Sequence, residues 1–174
     1  MFKFAVCLIL STFLGRVAGS EATVNLEARV ASKDAWSDQV LSEHNKARGR
    51  YGAKPLQWST SLFPPTNQYA QMCKFAHSDA QSRYGENLYA SSNLNAGIAD
   101  AIKSWMAEAY NHPGYNLATG HFTQVVWKDT TQVACALASC AAGTIFPIQP
   151  SKYIVCRYTP PGNYAGQFAL VHPH

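Results

Sequence analysis

The feature that most narrows what this chain can fold into is an even set of four cysteines, Cys73, Cys135, Cys140 and Cys156. A fifth, Cys7, sits in an N-terminal stretch that reads as a targeting signal. Lys3 gives that stretch a positive start, and its apolar run, Phe4 to Leu14, is far too short to span a bilayer. Val17-Ala18-Gly19 supplies small residues at the usual cleavage spacing, with cleavage after Ser20 equally defensible. The expectation is a signal peptide over residues 1–19, a secreted protein, and four cysteines oxidised as two disulfides. Composition and spacing leave three pairings open. Each closure contributes roughly 2–4 kcal/mol, mainly by restricting the unfolded chain. A zinc site built from the cysteines is disfavoured, because no C-x-x-C pair occurs.

The remaining chain of about 155 residues is one domain that can bury a core of its own. Losing Lys3 and Arg16 with the signal lowers the formal net charge from +4 to +2. With no basic run, that mild charge argues against a nucleic-acid partner, and no second apolar stretch suggests a transmembrane segment. Residues 20–35 read as a short flexible lead and residues 169–174 as a C-terminal tail. From about Ser32 the pattern turns helical, with Trp36, Val40, His44, Ala47 and Tyr51 at three- and four-residue steps, stopped by Gly52 and Pro55. A second helix is expected through Asn67 to Phe75, starting late or kinked because Pro64-Pro65 fits only a first turn. Gly97 to Tyr110 is the cleanest helix, with Ile98, Ala101, Ile102, Trp105 and Ala109 on one face and Glu108 at its edge. Strands are expected over 122–127, 132–138 and 153–158, the first two joined by a turn at Lys128–Thr131. Helices first and strands last argue for an α+β domain.

Two C-terminal segments carry more specific information. Gly120-His121-Phe122-Thr123-Gln124-Val125-Val126-Trp127 precedes Cys135 and Cys140, and Tyr153-Ile154-Val155-Cys156-Arg157-Tyr158-Thr159 leads into Pro160-Pro161-Gly162-Asn163-Tyr164. Their order resembles both signature segments of the superfamily of cysteine-rich secretory proteins, antigen 5 and pathogenesis-related class 1 proteins, the SCP domain. The resemblance covers residues 36–168 and is nearest to the fungal pathogen-related-in-yeast branch. It implies a three-layer α-β-α sandwich with an antiparallel central sheet, and disulfides Cys73–Cys140 and Cys135–Cys156. It further implies a central cleft tetrad of His77, Glu86, Glu108 and His121.

Two imidazoles and two carboxylates suit two kinds of chemistry. Neutral His77 and His121 can ligate zinc while the glutamates orient them, or a His and a Glu can act as base and acid on a bound water. The tetrad lacks the helical H-E-x-x-H pair and the third protein ligand of a catalytic zinc site, so zinc is expected to bind weakly and not to be required. No G-x-S-x-G elbow is present. No catalytic residue is assigned. A polar network that merely fixes the fold is the competing reading. The resemblance implies a secreted carrier of sterols, and of fatty acids between the first helix and the helix ending near Glu108. Aromatic segments Phe63–Tyr69 and Tyr110–Tyr115 are the candidates for a sterol loop. An effector that meets a protein receptor, with a peptide released from Pro160, and a zinc-dependent hydrolase are the alternatives. His44 reads as a packed, hydrogen-bonded core residue.

Overall fold

The computed structural model describes residues 20–111 and 119–168. The signal peptide read over 1–19, the tail 169–174 and most of the aromatic segment after Tyr110 lie outside the described residues, as do His112, His172 and His174. Eight elements follow in order: α1 (Ser20–Gly49), β1 (Gln57–Trp58), α2 (Phe63–Gln71), β2 (Gly85–Ser91), α3 (Ile98–Asn111), α4 (Gly120–Val125), β3 (Gln132–Cys140) and β4 (Ser151–Thr159). The described residues up to Lys33 belong to a separate unit, and the body begins at Asp34.

Three helices depart from the sequence reading. Residues 20–35, expected as a flexible lead, are helical from Ser20. No glycine or proline interrupts Ser20–Arg48, and Glu, Ala, Leu and Arg dominate its first turns. Helix α2 starts at Phe63 rather than near Asn67, with both prolines in its first turn where no amide donor is required. It ends at Gln71, before Cys73 turns to a positive φ of 51°. The third departure matters most. Residues 122–127, read as a strand, belong largely to helix α4 and its C-terminal cap. Phe122 through Trp127 are all buried, so no amphipathic period distinguishes helix from strand.

The sheet has the order β1-β3-β4-β2. Strand β4 pairs antiparallel with β2, from Gly85↔Tyr158 to Ser91↔Lys152, and with β3, from Gln132↔Thr159 to Cys140↔Ser151. The two-residue β1 adds in parallel beside β3. The sheet is therefore mixed rather than purely antiparallel. Alternation along β3 and β4 divides the core between its two faces. Val133, Cys135, Ile154, Cys156 and Tyr158 face α1, α3 and α4 with Val40, Ile98, Ile102, Trp105 and Phe122. Ala136, Ala138, Cys140, Tyr153 and Val155 face the other way with Ala70 of α2. The result is a three-layer α-β-α sandwich. Each face carries one disulfide: Cys135–Cys156 joins register partners on β3 and β4, and Cys73–Cys140 ties the end of α2 to the end of β3.

Arg48 fixes the helical layer that bears the site. Fully buried, its guanidinium donates to the carbonyls of Lys54, Val125, Trp127 and Thr130. It thereby neutralises the carbonyl end of α4. Burial lowers its pKa to about 10, so it remains a cation at neutral pH.

Candidate functional site

Two histidine–glutamate pairs form the site, and each is built by a different device. Glu108 reaches from α3 to the start of α4. Its Oε2 accepts the amides of His121, at 3.1 Å, and Phe122, at 3.0 Å, while Oε1 accepts Nδ1–H of His121 at 2.6 Å. The first turn of a helix has free amides, and a carboxylate there satisfies them and favours their positive end. The His121 ring lies nearly parallel to the buried indole of Trp105, with centroids 6.1 Å apart. Trp105 is itself fixed by Nε1–H donating to the Leu88 carbonyl.

Glu86, at the start of β2, organises the other pair. Its carboxylate accepts from His77 Nδ1 at 3.1 Å, from the Ser78 amide and hydroxyl at 2.9 and 2.6 Å, and from Arg157 Nε at 3.0 Å. Burial alone would push this carboxyl up; the four donors outweigh it and hold it at about 2. The Arg157 guanidinium lies over the rings of Tyr84 and Tyr69, 4.5 and 5.0 Å from their centroids. Glu86 raises the pKa of His77, against a smaller opposing effect of burial. The His77 side chain is 63 % exposed, whereas those of Glu86 and Arg157 are 4 % exposed.

Because a carboxylate only accepts, each neutral imidazole carries its proton on Nδ1 and turns an Nε2 lone pair outward. Neither Nε2 has a hydrogen bond among the described residues. This is the orientation a metal-ligating histidine needs, with a carboxylate behind it. The pairs are linked through Asn87, next to Glu86, whose amide donates to the His121 carbonyl at 3.0 Å. The compact trio of potential metal donors lies elsewhere: His44, Cys135 and Cys156 have ligand atoms within 4.8 Å of one another. That trio is committed otherwise, since both sulfurs form a disulfide and both His44 nitrogens are hydrogen-bonded.

Sequence reasoning identified the four acids and bases but not the residues that hold them. Ser78, Asn87 and Arg157 were missed. Arg157 had a signal, since an arginine inside the apolar run Tyr153–Tyr158 must find an anion. His44 is fully buried as expected, its Nδ1–H donating to the Val40 carbonyl at 2.8 Å and its Nε2 accepting from Tyr158 Oη at 2.9 Å.

Two apolar depressions flank the site-bearing layers. A groove of about 460 Å³ runs between α1 and α3, with Ala47, Ile102 and Met106 among its lining and Lys46, Arg50, Lys103 and Glu43 around it. A smaller one, about 270 Å³, is lined by Trp36, Phe63, Asn67, Ala136 and Leu137. Phe63–Tyr69, a candidate sterol loop by sequence, is helical.

A disulfide-tied α-β-α sandwich with two histidine–glutamate pairs defines the class of protein. Residues 41–158 match the model of the cysteine-rich secretory protein family, CAP. The chain belongs to that family. It is 38 % identical over 151 residues to fruiting body protein SC7 of Schizophyllum commune, covering 79 % of this chain and 71 % of that one. It is 37 % identical over 137 residues to a PR-1 type pathogenesis-related protein of Sambucus nigra, covering 73 % and 77 %. Among solved structures it resembles NaASP2 crystallised with Zn2+, at a TM-score of 0.64 and 25 % identity over 80 % of this chain and 86 % of that one.

Proposed function

We propose that this chain is a secreted lipid-binding protein that takes up fatty acids and sterols, with the α1–α3 groove as the acyl site. The groove carries the reading. An apolar lining that includes Ile102 and Met106, beside Lys46, Arg50 and Lys103, suits an amphiphile with an apolar tail and an anionic head. Its volume falls within the range of small-molecule sites. Two formed disulfides fit an oxidising, extracellular setting. Sterol binding rests on the family resemblance and is the less localised half of the proposal.

The test is saturable binding of a fluorescent fatty acid and of labelled cholesterol to the secreted protein, with and without added zinc. Met106→Asp places a charge in the groove and should weaken fatty-acid binding about tenfold or more. Absence of saturable binding by either lipid, or fatty-acid affinity indifferent to Met106→Asp, would overturn the reading.

Zinc is proposed as an optional ligand, because each histidine has a carboxylate on Nδ1. His77 and His121 would hold it through Nε2, with Glu86 and Glu108 as their hydrogen-bond partners. When bound it would supply a Lewis acid and structural cross-linking; the chain's own residues orient the imidazoles and hold their protons on Nδ1. We assign no turnover to the tetrad, and a hydrolytic activity abolished by His121→Ala in a folded protein would reverse that assignment.

A defence-type effector role is the second reading, favoured by the pathogenesis-related relatives. Peptide release from Pro160 is disfavoured by packing. The Pro160 carbonyl accepts from Thr130 Oγ1, Gly162 donates to Gln124, and Asn163 bonds Thr123 and Gly120. Mass spectrometry of the secreted protein should find the segment after Pro160 still attached.

A further inference from the structure

Four of the five large apolar residues exposed on the described surface gather at one end of the sheet. Ile148, 85 % exposed, projects from the β3–β4 connection. Met72 and Phe75, 61 % and 54 % exposed, flank Cys73, whose disulfide to Cys140 joins them to that connection. The Phe75 ring contacts Tyr153 edge-on, and Tyr153 Oη donates to the Lys74 carbonyl at 2.9 Å. Leu94 follows β2, whose last residue Ser91 pairs with Lys152. Tyr164, the fifth, is near Trp127.

The stretches that build this end, up to Ser78 before Asp79, carry charge of one sign. Residues 59–78 and 130–159 contain no Asp or Glu, and their cations are Lys74, Lys152 and the buried Arg157. The ten residues Ala141–Pro150 carry no charge at all. Lys74 is exposed, and among the described residues the Lys152 ammonium bonds the neutral Ser139 hydroxyl. The nearest acid along the chain beyond Leu94 is Asp100, whose carboxylate accepts the Gly97 amide. An uncharged apolar tip bordered by lysines matches a bilayer whose acyl region accepts Ile148 and Phe75 while its anionic headgroups meet the ammonium groups. A soluble protein partner would not require the acid-free surround.

We propose that this end of the molecule docks on anionic lipid bilayers, with Ile148, Phe75 and Met72 entering the interface and Lys74 and Lys152 contacting headgroups. It places the protein on the surface from which a lipid would enter or leave the groove, and so rests in its purpose on the lipid-binding reading. The docking itself is measured independently. Glu86 and Arg157 are register partners near the opposite end of the β2–β4 pairing from Ser91 and Lys152.

The experiment is flotation of the whole secreted protein with vesicles of phosphatidylcholine alone and of phosphatidylcholine mixed with phosphatidylserine. Wild type should float with the anionic vesicles, less in high salt, and weakly with the neutral ones. Ile148→Asp, at a position with almost no packing to lose, should reduce vesicle affinity roughly tenfold or more. Lys74→Glu should act mainly on the anionic vesicles. Both variants should keep fatty-acid binding in vesicle-free solution, whereas Met106→Asp should lose that binding and still float, which separates the two proposals. Absence of flotation, flotation unaffected by Ile148→Asp, or a wild-type dimer in light scattering that Ile148→Asp dissolves would overturn docking on lipid.

Discussion

His44 makes a prediction about acid that can be worked from its surroundings. Its imidazole is fully buried, and that burial lowers its pKa from 6.5 to about 4. The Val40 carbonyl pulls the other way, and the Arg48 cation on the same helix adds to the depression. From other elements it meets the Tyr158 hydroxyl, the Trp105 ring with centroids 6.5 Å apart, and the neutral Cys135–Cys156 disulfide. No anion appears among these neighbours, so nothing compensates an imidazolium. Below 6.5 the unfolded chain takes up this proton and the folded one does not. Stability is therefore complete above 6.5 and falls as pH drops towards about 4, by about 3 kcal/mol across the window. His77, with its raised pKa, works in the opposite direction and above this window, since its contribution is complete below 6.5 and lost as pH rises beyond it. Comparing wild type with His44→Gln cancels that effect. Urea unfolding at a series of pH values between 6.5 and 4 should show the variant less stable at the upper end by about 1–3 kcal/mol, from imperfect replacement of two buried hydrogen bonds. The deficit should shrink, and then reverse, as wild type loses its advantage. A wild-type-minus-variant difference that stays constant across the window would refute the argument.

Three further outcomes follow from the geometry. Glu86→Gln in chelator-treated protein should cost about 3–5 kcal/mol, because it leaves Arg157 buried without an anion; urea unfolding gives the loss, and NMR titration should show the His77 pKa returning towards 6.5. Replacing both cysteines of a bridge by serine should cost more for Cys73–Cys140, with 67 residues of separation, than for Cys135–Cys156, with 21. The loop-entropy estimate is about 4 against about 3 kcal/mol, to be read by chemical denaturation. Gly162→Ala should destabilise the Pro160–Tyr164 turn, since a Cβ there would come within 2.7 Å of the Trp127 indole; a lower thermal midpoint and a shifted Trp127 fluorescence would show it.

The expected order of helices first and strands last is not met, since β1 and β2 lie between helices; strand β3 was legible by its apolar run, β4 by its β-branched and aromatic residues, and α3 by a clean apolar face. Strand β2 was not, since Gly85-Glu86-Asn87 opens it with three poor strand formers and its pairing is dictated by β4 alone. Helix α4 was misread because its start is fixed by the Glu108 carboxylate, 13 and 14 residues before the amides it accepts, a tertiary contact no local pattern reports. The tetrad itself came from motif resemblance; its spacing of 9, 22 and 13 residues says nothing on its own. What the sequence withheld was the division of labour. Glu86 is buried and pinned by four donors, whereas its partner His77 lies mostly in solvent.

The carboxylate of Glu108 serves two masters through its two oxygens, one setting the tautomer of an imidazole and the other starting a helix. Chemistry and architecture are thus written into a single side chain and cannot be varied separately. A survey of substitutions at this position would register as damage to whatever the protein does, yet the loss would originate in an unseated α4, and with it Gln124 and the turn at Gly162 that Gln124 holds. Essentiality at Glu108 is therefore no evidence of a reactive group. The informative probe of the imidazole is His121 itself, whose ring can be exchanged while the helix keeps its anchor.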